Sequence, residues 1–140
     1  MKAILFLIPL FLSLTINAQT IEGIWQNIDD EDGKPKSHIE VKEVNGKLEG
    51  TVIKLLEGAE LKVCTKCKGD RKDQPIEGMK IMWDLEIKND EKAEGGRIID
   101  PKKGKEYGCK IKLKEEDLLE VRGYIGSPMF GRTQRWYRIK

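Results

Sequence analysis

Apolar and polar side chains alternate with a period of two along most of this chain. Tyr107, Cys109, Ile111 and Leu113 alternate with Gly108, Lys110, Lys112 and Lys114. One face of that stretch is apolar and the other cationic, the pattern of a half-buried antiparallel strand. Ile39 and Val41 alternate in the same way with His38, Glu40 and Lys42, and Leu119, Val121, Gly123 and Ile125 with Glu120, Arg122 and Tyr124. Strands are predicted over residues 22–29, 36–44, 47–56, 79–88, 97–99, 106–113, 119–125 and 131–139. Turn chemistry separates them. Asn45-Gly46 suits the φ > 0 of a type I′ hairpin turn. Asp100-Pro101 opens another turn, and Gly104 supplies the positive φ that closes it. Residues 29–35 read as an acidic loop, and residues 89–94 as a polar turn. Gly50, inside its strand, marks a bend or bulge. The one long irregular segment, residues 57–77, shows no sustained period.

Eight short strands linked mostly by hairpins predict an all-β fold, a single antiparallel eight-stranded up-and-down β-barrel. Closure removes the two unpaired edges that an open sheet would leave. A barrel of this size is either filled by side chains or just roomy enough for one small ligand. Trp25, Ile39, Val41, Val52, Val121 and Ile125 are predicted to face inward, with the apolar face of residues 107–113 and Leu119.

Residues 1–18 stand apart from this pattern. Lys2 gives a basic start, residues 4–14 are apolar apart from Pro9 and Ser13, and Ala18-Gln19 supplies a small-residue boundary. The apolar run is too short to span a bilayer, so it reads as a secretory signal peptide. Residues 19–140 then form one exported domain, periplasmic or extracellular, with no transmembrane segment. The charge is evenly mixed, 26 Lys and Arg against 24 Asp and Glu. Such a balance argues against nucleic acid as a partner, which needs clustered positive charge. A monomer is expected.

Gly23-Ile24-Trp25 on the first strand and Arg138 on the last resemble the closure of the lipocalin, or calycin, superfamily. There an arginine from the final strand lies across the first-strand tryptophan. Guanidinium on indole gains cation–π energy, and its N–H groups satisfy carbonyls at the barrel end. The chain from Gly23 to Arg138 also resembles the small secreted bacterial family catalogued as domain of unknown function two-one-four-seven. Its features stand here as Gly23-Ile24-Trp25, Gly46, Gly50, Gly78, Asp100-Pro101 with Gly104-Lys105 and Tyr107, Gly123-Tyr124, Gly131-Arg132, Trp136 and Arg138. The resemblance implies a lipocalin-like barrel and export, and no established activity. The mid-chain Thr-Asp-Tyr motif of lipocalins is missing, and Arg138 leaves no room in this sequence for their C-terminal helix.

Cys64-Thr65-Lys66-Cys67 carries the sharpest local chemistry. An oxidising compartment favours a disulfide between its two cysteines. The same spacing fits half a zinc site completed by Cys109 and His38. A thioredoxin-type redox pair is the third reading, but it needs a helix N-terminus to lower the first thiol's pKa, and none is predicted there. Cys109 otherwise reads as a small buried hydrophobe or as a bonding partner of Cys64 or Cys67 that ties the long loop to the barrel, and His38 as a surface imidazole.

The chain contains no Gly-x-Ser-x-Gly elbow, His-Glu-x-x-His pair or phosphate-cradling glycine loop. Asp84, Glu86 and Asp100 are plentiful-carboxylate candidates for a barrel mouth, but solvated faces explain them equally well. A non-enzyme that uses no cofactor is expected. Two functions fit. One is an exported barrel binding a small apolar or amphipathic ligand in a cavity under the long loop, with Tyr107, Asp100, Arg97 and Trp83 as site candidates. The other is an envelope structural or interaction protein with a filled barrel and a partner-binding loop at residues 57–77.

Overall fold

Each strand ends where the chain meets a turn it is built to make. In the computed structural model, which describes residues 2–4 and 20–139, the strands are β1 (Gly23–Ile28), β2 (Pro35–Val44), β3 (Lys47–Leu55), β4 (Lys80–Ile87), β5 (Lys92–Asp100), β6 (Lys105–Glu115), β7 (Leu118–Tyr124) and β8 (Gly131–Arg138). They form a closed antiparallel barrel in sequence order, β8 pairing back onto β1. The expected leader, residues 1–18, lies outside the described residues apart from 2–4. No helix among the described residues is long and apolar enough to cross a membrane, which says nothing of a barrel.

Most boundaries shift by one or two residues, and two of the differences change the picture. β5 begins at Lys92, inside the segment read as a polar turn. Gly95, at φ 77°, lets the strand bulge and resume, and the β5–β6 register shifts between Ala93 and Gly96. β7 stops at Tyr124, so Ile125 is not inside the barrel but two-thirds exposed in the loop after it. Gly50 does mark an irregularity, because the β3–β4 register shifts on both sides of it.

One end of the barrel is closed. There β1 and β8 meet, with Trp25 opposite Arg138. The Arg138 guanidinium carbon lies 4.3 Å from the centre of the Trp25 ring. Its N–H groups donate to the carbonyls of Thr20, Glu22 and Glu116, at 2.7–2.9 Å. The Trp25 indole N–H donates to the Ile21 carbonyl. Leu48, Leu85, Leu113 and Leu119 fill the interior above this plug, each nearly or fully buried. The other end carries the loops after β1, β3, β5 and β7.

The long loop is more ordered than its composition implies. It includes a single 3-10 turn, Gly69–Arg71. Val63 and Pro75 form an isolated bridge, and the backbones of Cys64 and Gln74 and of Lys62 and Ile76 are hydrogen bonded. Cys64 and Cys67 form a disulfide, with Cα atoms 5.3 Å apart and both residues buried. The knuckle sits on the β5–β6 turn. A Cβ on Gly104 (φ 66°) would meet the Lys66 carbonyl, so only glycine serves there. The Cys64 sulfur lies 3.3 Å from the Pro101 carbonyl oxygen.

A candidate ligand cavity at the open end

Inward positions near the open end carry smaller or more polar side chains than those near the plug. Asn27 on β1, Ser37 on β2, Val52 on β3 and Gly123 on β7 leave space that no neighbour fills. The result is a cavity of about 500 Å³. That volume lies within the usual range for small-molecule sites, roughly 300–1,000 Å³. Val52, Leu55, Ile98, Val121 and Trp136 supply apolar wall, and Leu61 and Ile76 of the long loop close part of the top. At Gly123 a Cβ would make ordinary contacts with Tyr107 and Ile98, at 3.5 and 3.6 Å, so a larger side chain would point into the space.

The sequence candidates divide between the two sides of the wall. Tyr107 and Asp100 line the cavity. The Asp100 carboxylate accepts from the Lys102 backbone N–H at 2.9 Å and so also holds the turn. Arg97 and Trp83 do not line it. Their strand neighbours Ile98 and Met82 pair and face inward, which turns Arg97 and Trp83 outward. Outside, Arg71 of the long loop stacks over Trp83 at 4.4 Å, and Glu106 bridges Arg71 and Arg97. That cluster fastens the loop to the barrel wall. Glu86 is displaced as well: it pairs with Lys47 and Glu94, away from the mouth.

The zinc alternative is not assembled. Cys64 and Cys67 are bonded to each other, and His38 lies on the outer face against the Gln26 side chain. Among the described residues no group of three or more His, Cys, Asp or Glu could hold a metal ion. Cys109 is buried, and the loss of hydration pushes its thiol up to about 12.

Sequence reasoning missed the rim. Glu31 accepts from Lys103 at 2.8 Å and from Arg132 at 2.7 Å, and Arg132 also binds Asp30. Glu60 of the long loop pairs with Lys102 at 3.1 Å, and Lys36 bonds Asp32 and the Gly58 carbonyl. Hydrogen bonds from Lys103 and Arg132 hold the Glu31 carboxyl at about 2, against an ordinary 4.5. The Glu31 carboxylate raises Lys103 in turn, and the Glu60 carboxylate raises Lys102. These charges come from four separate segments, so no local sequence pattern announces them.

Residues 23–138 match the family described as "Uncharacterized protein conserved in bacteria (DUF2147)". The chain belongs to this family. Among solved structures, the DUF2147 chain is similar to protein HP1028 from the human pathogen Helicobacter pylori, described as belonging to the lipocalin family. The TM-score is 0.75 at 22% identity, over 85% of this chain and 82% of that one. At that identity the likeness carries the fold, which is lipocalin-like. No curated protein matches the chain.

Proposed function

We propose that this DUF2147 protein acts outside the cytoplasm and binds one small apolar or amphipathic molecule in the cavity at the open end of its barrel. The cavity itself carries the reading. A barrel that served only as a scaffold would fill its interior, as the closed half does, and gain packing energy by doing so. Here the apolar wall, the few polar groups and the charged rim match the general makeup of small-molecule sites. The apolar leader and the disulfide support export to an oxidising compartment. The interaction-protein alternative draws support from two loops: residues 57–77, mostly exposed although Cys64, Cys67 and Ile76 are buried, and the loop at the mouth where Met129 and Phe130 stand 79% and 69% exposed.

Titration with the neutral fluorophore N-phenyl-1-naphthylamine tests the proposal. One saturable site per chain is expected. Gly123→Val should weaken it by about tenfold, because the added side chain occupies the space beside Tyr107 and Ile98. Absence of saturable binding to the natural protein would return the interaction reading to first place.

A further inference from the structure

The cavity's interior is chemically two-sided. In the closed strand order β1 lies opposite β5, and β2 opposite β6. On the first side Asn27, Ser37 and Gln134 face inward from β1, β2 and β8, neighbours around the barrel. Across from them stand Ile98 on β5 and the ring of Tyr107 on β6, with Val52 of β3 between the two walls. The polar wall has donors left over. The Trp136 indole N–H donates to Gln134 Oε1 at 3.2 Å. An indole can only donate, so this bond fixes which end of the Gln134 amide carries the NH₂. One of its hydrogens points to Asp30 at 3.4 Å, and the second has no acceptor among the described residues. Asn27 Oδ1 accepts from the Ser37 hydroxyl at 2.7 Å, which leaves the Asn27 NH₂ without an acceptor among the described residues.

We infer that the ligand is an uncharged amphiphile whose polar group is a hydrogen-bond acceptor, a ketone, ester or amide carbonyl, received by the Asn27 and Gln134 amides while its apolar body lies against Val52, Ile98 and the Tyr107 ring. This rests on the proposed cavity function and gives it a ligand class. The absence of net charge follows from the rim. Five carboxylates line the cavity, Asp29, Asp30, Glu31, Glu60 and Asp100, against four cations, Lys36, Lys102, Lys103 and Arg132. All four cations already hold acidic partners. An anionic ligand would have to break one of those pairs and sit beside the acid released. A neutral carbonyl needs only the spare amide hydrogens. These hydrogens face the cavity on half-buried side chains, so a bound carbonyl takes the place of water there without breaking an ion pair.

Two probes with the same ring system decide the matter. One is the ketone fluorophore 6-propionyl-2-dimethylaminonaphthalene, and the other is its 6-propyl analogue, which lacks the carbonyl. The natural protein should bind the ketone about tenfold more tightly. Asn27→Val should erase most of that preference, by weakening the ketone more than the propyl analogue, and should shift the bound ketone's emission to the blue. Asn27→Asp serves where the valine variant folds poorly, since it keeps the acceptor for Ser37 and removes the donors. Equal affinity for the two probes in the natural protein, with no emission change in either variant, would overturn the inference and leave the apolar cavity standing. Failure of both probes to bind saturably would remove the cavity function and the inference together.

Discussion

Arg138 shows how much one side chain can do at a barrel end. Its planar fork reaches three backbone carbonyls, and its face lies on Trp25. No other side chain combines both geometries; a lysine is a point charge on a flexible stem. Arg138→Ala should destabilise the protein by about 2 kcal/mol, through lost stacking and through carbonyls left poorly satisfied. Arg138→Lys should recover less than half of that loss. Urea unfolding of the three proteins measures it, and an unchanged midpoint in the alanine variant would show that the closure contributes nothing to stability.

At the scale of the element, the long loop is a folded insertion held at three places. The disulfide knuckle rests on the turn at Gly104, Arg71 stacks on Trp83, and Glu60 joins the rim. The disulfide closes only a short loop, so its contribution to global stability is small, about 2 kcal/mol on the chain-entropy account. Its local effect should be larger, because a packed knuckle positions Leu61 and Ile76 over the cavity. Thiol titration of the denatured, unreduced protein should find one free thiol, Cys109, and the folded protein none. In the double variant Cys64→Ser, Cys67→Ser, amide exchange should accelerate across residues 57–79 while the barrel strands stay protected. Uniform acceleration over the whole chain would show that the loop and barrel unfold as one unit.

For the whole molecule, the charged rim joins segments that are distant in sequence, and its pH dependence can be worked out. The carboxyl of Glu31 is held down at about 2, so its stabilising contribution is complete above an ordinary 4.5 and is lost as pH falls toward 2. Lys102 and Lys103 are raised, so their share is complete below an ordinary 10.5 and is lost as pH climbs through the raised values. The rim should therefore be at full strength from about pH 4.5 to 10.5. Thermal unfolding followed from pH 6 to 2 should show a decline that is smaller in Glu31→Gln. These groups are solvent-exposed, so added salt should shrink the difference. An identical decline in both proteins would mean that Glu31 does not clasp the rim.

The period-two pattern was enough to predict eight strands, their antiparallel order and a closed barrel, because alternation and turn residues are local properties of the chain. The Trp25–Arg138 closure was legible through a family likeness, and the two cysteines through their spacing. Other features were not, and each for a physical reason. A bulge at Gly95-Gly96 continued β5 through residues that read as a turn. A one-residue difference in facing sent Arg97 and Trp83 outside while Ile98 and Met82 turned in, and alternation alone cannot say which set meets the core when a loop buries part of the outer face. The cavity depends on the combined volume of side chains from seven or more separate segments, and no window of sequence contains that sum. The spare donors of Asn27 and Gln134 became visible only once their neighbours' bonds were known. Local chemistry determined the barrel; the tertiary arrangement decided which half of it is solid, which is open, and which polar groups inside the open half still lack a partner.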